Sequence, residues 1–356
     1  MHGAQLAVVV PAHNEQASIE RALASILPQL EKNDRLIVVA DNCSDNTARI
    51  AQRAGAEVTI RSNPNLRGKG YALDHGLRFL EQTGAPDAVI FVDADCQLHH
   101  DCIKRLARTC IQFRRPVQAT YLMNAPSQLQ KMASIVSFAW KVKDYVRPLG
   151  CHRLGLPCQL AGSGMAFPWD VAQMVNLASD NLVEDVKQGL DLAMMGKFPL
   201  FCPDAVVTSD VIAGKAPSYS QRARWEHGTL SIMIDYIPRL FAKFYEAPTF
   251  SLVAMALDLT VPPLAFLALL LCAQLSVAAL FSVVFDVGTP IALSSTISAI
   301  FLSSIVLAWL RHGQNILPLR WLLAAPAYAI FKIPLYASFF FSRQQEWVRG
   351  EREKHG

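Results

Sequence analysis

An α/β domain built on a mostly parallel sheet, followed by a C-terminal α-helical transmembrane region, is the fold class that the 356-residue sequence predicts. Three observations carry it. Apolar runs of strand length alternate with helical patterns through the first hundred residues. Each run closes on polar or acidic residues, and ionisable groups nearly vanish after residue 250. Hydrophobic residues make up 52% of the chain and charged residues 17%, and the apolar excess is concentrated in 250–341.

The elements follow in order. Leu6 to Val10 is an apolar run closed by Pro11, and Ile19, Leu23, Ile26, Leu27 and Leu30 then fall at helical spacing. A second strand, Leu36 to Ala40, ends at a polar turn from Asp41 to Asn46. Thr47 to Arg53 reads as a helix, and Glu57 to Ile60 as a third strand. The glycine-rich turn Arg67-Gly68-Lys69-Gly70 leads into a helix from Tyr71 to about Glu81, and Ala88 to Val92 is a fourth strand ending on Asp93-Ala94-Asp95. Strands apolar throughout imply a parallel sheet covered on both faces. In such sheets ligands lie beyond the carboxyl ends of the strands. Here those ends carry Pro11, His13 and Glu15, then Asp41 and Asp45, then Asp93 and Asp95, the pattern of a nucleotide-type site.

After residue 250 the only charged residue up to 285 is Asp258, and Pro262-Pro263 divide that stretch into an interfacial helix and a span of about 264–285. Residues 287–310 carry no charge; 321–342 carry Lys332 alone, with Pro326 and Pro334 expected to bend the segment. About 20 apolar residues cross a bilayer. The expected organisation is a catalytic domain over 1–240 including interfacial helices, a membrane region over 250–342, and a polar tail over 343–356. Arg311, His312 and Arg320 make the loop between the last two segments basic, which places that loop and the N-terminal domain on the cytoplasmic side; the tail is basic too, so 321–342 is either a third span or a re-entrant or in-plane segment.

Composition also excludes classes. A net charge of +4 is too mild to argue for nucleic acid. No pair among the eight cysteines has C-x-x-C spacing, so they read as reduced thiols, not zinc ligands. Neither G-x-G-x-x-G nor a Walker loop follows the first strand, which removes dinucleotide and ATP sites of those kinds.

The chemistry concentrates in a few constellations. Asp93 and Asp95 at a strand end would repel a diphosphate unless a divalent cation, Mg²⁺ or Mn²⁺, bridged them to it. Asp41 suits a base or ribose as ligand, while Asp45 suits an Asx turn before the helix at Thr47. Arg67 and Lys69 precede a helix N-terminus and suit phosphate; read alone, they are an ordinary basic turn. Glu184-Asp185, read alone, is an acidic helix start. Gln221, Arg224 and Trp225 fall within about one helical turn, fit either for stacking and phosphate pairing or for a basic interfacial helix.

Together these residues resemble family 2 glycosyltransferases of the GT-A fold, especially the membrane-integrated group containing cellulose, hyaluronan and chitin synthases and ceramide glucosyltransferase. The resemblance covers about residues 6–240 and the trailing membrane segments. It implies that the turn Val10 to Glu15 and Asp41 contact the nucleotide, and that Asp93 and Asp95 hold the metal and donor diphosphate. Gly162-Ser163-Gly164 would lie near the acceptor, with Glu184 beside it, and Asp185 would be the catalytic base, Val183 standing where the family often has Thr. Gln221, Arg224 and Trp225 match Q-x-x-R-W, which closes over the nucleotide. The implied reaction is inverting transfer from a nucleotide sugar, UDP being the commonest carrier in the group, to a lipid-linked or glycan acceptor. Bacterial exopolysaccharide or envelope glycan assembly at the inner membrane is the implied setting, with other assembly proteins as partners. The chain starts at the catalytic strand and has fewer spans than the polymer-threading synthases, so single transfer is favoured over processive synthesis. The rival from another class is a non-catalytic nucleotide-sugar-binding module. A nucleotidyltransferase would need a glycine- and arginine-rich loop where Pro11 to Glu15 stands, and a self-contained transporter more spans.

Overall fold

The computed structural model describes residues 3–124, 131–179, 183–210 and 219–341, with the backbone alone at 131, 219–222 and 340. Strands β1 (Leu6–Ala12), β2 (Arg35–Asp41), β3 (Glu57–Arg61) and β4 (Ala88–Phe91) coincide with the four apolar runs. They pair in parallel in the order β3-β2-β1-β4. Successive β1 residues point to opposite faces, and both faces are covered: Val8 and Val10 join one core, Ala7 and Val9 the other. Helices α1 (Ile19–Ile26) and α2 (Thr47–Arg53) fill the first core through Ile19, Leu23, Ile26 and Ala51; α3 (Lys69–Thr83) fills the second through Leu73, Leu77 and Leu80. Burial on both faces is why β1, β2 and β4 carry no polar alternation, whereas the edge strand β3 is only partly buried and carries Glu57, Thr59 and Arg61.

Four further strands extend the sheet to the order β3-β2-β1-β4-β7-β6-β8-β5. These are β5 (Cys96–Leu98), β6 (Val117–Asn124), β7 (Met165–Pro168) and β8 (Leu200–Asp210), with α4 (Cys102–Phe113) packed beneath. β7 runs antiparallel to both β4 and β6, while β6 and β8 are parallel. The sheet therefore stays parallel where the nucleotide-type turns lie and becomes mixed beyond β4.

Between β6 and β7 lie α5 (Lys131–Lys141), a π-helical turn at Val142–Val146 and α6 (Arg147–Arg153). After β7 come α7 (Trp169–Ala172) and α8 (Glu184–Met194), and after β8 the 28-residue α9 (Tyr219–Glu246). Helix α10 (Phe250–Leu259) buries Leu252, Met255, Ala256 and Leu259 against α8 and α9. Its Asp258 accepts from Arg147 and from Gln159, both at 2.7 Å, which pins the helix to the catalytic domain.

Helices α11 (Leu264–Phe285) and α12 (Thr289–His312) follow the first two expected spans closely. The third segment is divided into α13 (Leu319–Leu322), α14 (Ala325–Phe331) and α15 (Ile333–Phe341). Pro326 and Pro334 each stand at the second residue of a new helix, where a missing N–H is harmless, so the prolines mark the breaks. Leu264–Phe285, Thr289–His312 and Leu319–Phe339 are each long and apolar enough to cross a membrane, with 6%, 11% and 28% of their apolar windows buried. The third is the most enclosed by protein. All eight cysteines are free thiols.

Candidate active site

The turns after β1 and β2 are stitched to each other at the carboxyl edge of the sheet. Asn14 and Asn42 both adopt left-handed backbone, with φ of 55° and 49°. Asn14 Oδ1 accepts from the Ser44 N–H at 2.7 Å, and Asn42 Oδ1 from the Asn63 N–H at 2.8 Å. Asn tolerates this conformation because its short amide bonds locally. His13 Nδ1 donates to the Asp41 carbonyl oxygen at 2.7 Å, and Glu15 accepts from Ser18 Oγ at 2.6 Å. Asp45 accepts from the N–H and hydroxyl of Thr47, so it forms the expected Asx turn. Between the turns opens a cleft of about 430 Å³ lined by His13, Asn14, Asn42, Ser44, Pro64 and Arg67 among others. That volume is in the range of small-molecule sites.

Asp41, at the end of β2, is buried, 6% exposed. Its Oδ1 takes an ion pair from Arg61 Nη1 at 2.6 Å, and Arg61 also donates to the Leu66 carbonyl and lies over the Tyr71 ring. Arg61 was not among the residues singled out from sequence. Arg67 stays at the cleft rim, bonded to the Pro64 carbonyl at 2.9 Å.

The acids gather around Lys69. The first residue of α3 sends its Nζ to Asp93 Oδ1 and to the Gly162 carbonyl oxygen, both at 2.6 Å, and stands 3.8 Å from Glu184 Oε1. A Cβ at Gly162 would lie 3.1 Å from Asp185 Oδ2, so Asp185 abuts the same point. Burial works to lower the Lys69 ammonium, but Asp93, Glu184 and Asp185 together outweigh it and hold it above its ordinary value. Burial pushes the Glu184 carboxyl up to about 7, with Lys69 opposing and Asp185 adding to the rise. Burial likewise raises Asp93. The cluster thus joins residues from four places in the chain: the glycine-rich turn, the end of β4, the turn before β7 and the start of α8.

The Gly162–Gly164 segment, expected at the acceptor, supports the acids from below. Ser163 is fully buried, and its Oγ accepts from the Asp93 N–H at 3.0 Å. Gly162 has φ +82° and Gly164 +69°, and a Cβ at Gly164 would meet Ala119 and Val207 at 2.8 and 2.7 Å. Buried Gln118 fixes the turn, donating to the Ser163 carbonyl and accepting from the Ala161 N–H. Ser163 therefore serves the Asp93 backbone and offers no open hydroxyl.

Trp225 meets Trp140 with ring centroids 5.3 Å apart, and Trp140 meets Tyr121 at 5.7 Å. The Tyr121 hydroxyl contacts Cys96 Sγ, immediately after Asp95. An aromatic path thus runs from the acidic strand end to α9. Buried Arg224 Nε has no hydrogen-bond partner among the described residues. The side chain of Gln221 lies outside the described residues, and its backbone is in the first turn of α9.

One group of side chains among the described residues has metal-binding spacing: Asp93, Asp95 and Cys96, with ligand atoms within 4.8 Å of one another. Two carboxylates suit a hard divalent cation. Burial pushes the Cys96 thiol well above its usual value, which disfavours the thiolate a softer metal would need. The carboxylate pair fits Mg²⁺ or Mn²⁺.

Comparison with known proteins gives the family. The glycosyl transferase family 2 profile matches residues 7–133, and that of glycosyl transferase family group 2 matches residues 88–340. The chain belongs to glycosyl transferase family group 2. It is 35% identical over 100 residues to a 4,4'-diaponeurosporenoate glycosyltransferase of Staphylococcus haemolyticus, covering 27% of this chain and 25% of that protein. A probable glycosyltransferase of Bacillus subtilis is 24% identical over 252 residues, covering 67% of this chain and 58% of the relative. Glucosyl-3-phosphoglycerate synthase of Mycobacterium tuberculosis is 38% identical over 99 residues, covering 26% and 29%. The chain thus spans between 25% and 58% of the length of these relatives. Among solved structures, a mannosyltransferase of Pyrobaculum calidifontis in complex with GDP-Man and Mn²⁺ superposes with a TM-score of 0.56 at 17% identity, over 95% of this chain and 88% of that one. That likeness shows the GT-A-type fold together with its trailing helices.

Proposed function

We propose that the chain transfers a sugar, with inversion, from a nucleoside diphosphate donor to a lipid-linked or membrane-proximal glycan acceptor. The observation that carries this reading is the convergence of Lys69, Asp93, Glu184 and Asp185 at one point beside a cleft of nucleoside size.

The base and ribose enter the cleft between His13 and Arg67, where the Asp41 carbonyl oxygen holds the His13 ring and Glu15 belongs to the same turn. Pro11 ends the apolar part of β1 and directs the chain into that turn. Asp93 and Asp95 would hold a divalent cation, an ion of the kind the mannosyltransferase complex contains. Such an ion would supply Lewis-acid charge to the leaving diphosphate. Asp185 Oδ takes the proton from the acceptor hydroxyl, whose oxygen attacks the anomeric carbon in line. The bond from that carbon to the diphosphate oxygen breaks, and the nucleoside diphosphate leaves with the electron pair. Arg224, whose Nε has no hydrogen-bond partner among the described residues, and Arg67 balance the charge that develops there. Lys69, bonded to Asp93 and to the Gly162 carbonyl, holds the turn against which Asp185 stands, and Gln221 with Trp225 closes the donor side.

The exposed apolar faces of α11 and α12 favour a membrane location, with the catalytic domain over 1–240 on the cytoplasmic side and the acceptor drawn from the lipid surface. UDP is the first carrier to test and GDP the second, the latter because the mannosyltransferase holds GDP-Man. Purified full-length protein in detergent, given UDP-, GDP- and TDP-sugars with Mg²⁺ or Mn²⁺, is expected to release one nucleoside diphosphate in a metal-dependent way. Donor binding without turnover, even with membrane extract as acceptor, would instead identify a non-catalytic nucleotide-sugar module.

A further inference from the structure

Beyond Arg320 at its start, the third apolar segment carries one charge, Lys332, and that charge reaches the helix that bears Arg224 and Trp225. Lys332 Nζ pairs with Glu226 Oε1, and the two side chains are only 16% and 11% exposed. The Tyr336 hydroxyl donates to the other carboxylate oxygen at 3.2 Å, and the Lys332 ammonium also lies 5.2 Å from the Tyr328 ring centroid. One residue on, His227 Nε2 donates to the Leu335 carbonyl at 2.9 Å. Leu335, Tyr336 and Phe339 pack on Ala223 and Leu230, closing an apolar seal around the polar contacts.

An ion pair enclosed in an apolar segment is a costly way to join two helices, because each charge loses its hydration. Apolar packing would hold α9 and α15 together as well, but it would not fix their register. The Lys332–Glu226 pair forms in one register alone. Glu226 follows Trp225 directly and is two residues from Arg224, so that register also sets where those side chains point. The Trp225 ring is in turn met by Trp140 of α5. The start of α9 is therefore gripped between the catalytic domain and the third segment.

We propose that the Lys332–Glu226 pair is a positioning latch for the donor site, by which the third apolar segment aims Arg224 and Trp225 at the nucleoside diphosphate. The inference rests on the reading of those two residues as donor contacts. Lys332, Glu226 and Tyr336 are positioning residues and touch no substrate.

The test measures dissociation constants for UDP and for GDP, each with Mn²⁺, on the full-length protein in detergent. The variants are Lys332→Glu, Glu226→Lys, their double exchange and the milder Glu226→Gln. Measurements are made well below the melting midpoint of each. Each reversal is expected to weaken the tighter nucleotide about tenfold, or about 1.4 kcal/mol, and the double exchange to recover most of that loss. Glu226→Gln, which keeps shape and one acceptor, is expected to weaken binding about threefold, and it carries the test if the reversals do not fold. Lowered melting midpoints with nucleotide affinity unchanged would overturn the latch, as would a double exchange no tighter than the single reversals. Arg224→Ala separates the two levels. Unchanged affinity in that variant would overturn the donor-site reading itself, whereas loss there without loss in the Lys332 and Glu226 variants would overturn only the latch.

Discussion

Lys69 Nζ stands 2.6 Å from Asp93 Oδ1 and 3.8 Å from Glu184 Oε1, so a residue of the glycine-rich turn supplies the cation about which the acids of the site gather. Removing that cation leaves buried carboxylates unpaired, which costs far more than the pair itself contributes. Lys69→Met is expected to destabilise the protein by about 3 kcal/mol, seen as a lower thermal midpoint in detergent. Excess Mn²⁺ should recover part of the loss by replacing the missing charge at Asp93 and Asp95. A midpoint unchanged from the parent would show that the cluster does not depend on Lys69.

Glu184 gives the site a pH signature. Its carboxyl is raised from 4.5 to about 7 by burial, so the folded state binds a proton more tightly than the unfolded state. Its contribution to stability is full below pH 4.5 and is lost as pH rises through about 7. Thermal midpoints taken without metal or nucleotide should therefore fall across that window. Glu184→Gln, which mimics the protonated form, should flatten the slope. An equal slope in the variant would assign it to other groups.

Gly162 sits where a side chain has no room. Its φ of +82° disfavours any other residue, and a Cβ would stand 3.1 Å from Asp185 Oδ2 and 3.5 Å from Lys69 Nζ. Gly162→Ala should displace Asp185 from the acceptor and lower turnover by about a hundredfold, while nucleotide affinity stays within a few-fold of the parent. Steady-state kinetics beside nucleotide titration separate the two effects.

Much of this was legible in the sequence. β1 to β4, α2 and the first two apolar helices fall where periodicity and composition place them, because β1, β2 and β4 are apolar runs buried along their length and α11 and α12 are apolar throughout. The four later strands were not read. β5 and β7 are three and four residues long, too short to show a period, and the polar positions of β8 interrupt its apolar pattern. Asp93, Asp95, Lys69, Glu184 and Asp185 were named from sequence and the fold brings them together, Lys69 at their centre. Arg61, Gln118 and Trp140 were missed, since each acts through a partner distant in the chain: Asp41, Ser163 and Trp225. Lys332 was visible as the single charge of its segment, but its partner Glu226 could be found only once the helices were docked.

Asp95 supplies a second metal-capable carboxylate beside Asp93. Asp95→Asn is expected to raise the Mn²⁺ concentration for half-maximal activity by about 10- to 100-fold, with the maximum partly restored at saturating metal. EDTA should abolish turnover in the parent, and excess Mn²⁺ should return it. Full activity in EDTA would remove the metal from the account.

Asp185 as the base is the central claim, and Asp185→Asn tests it most directly. The variant keeps the shape of the side chain and loses its ability to take a proton. With folding and nucleotide affinity matched to the parent, transfer to acceptor is expected to fall by about 10³-fold or more. Transfer within a few-fold of the parent would contradict the assignment and move the search for the base to Glu184.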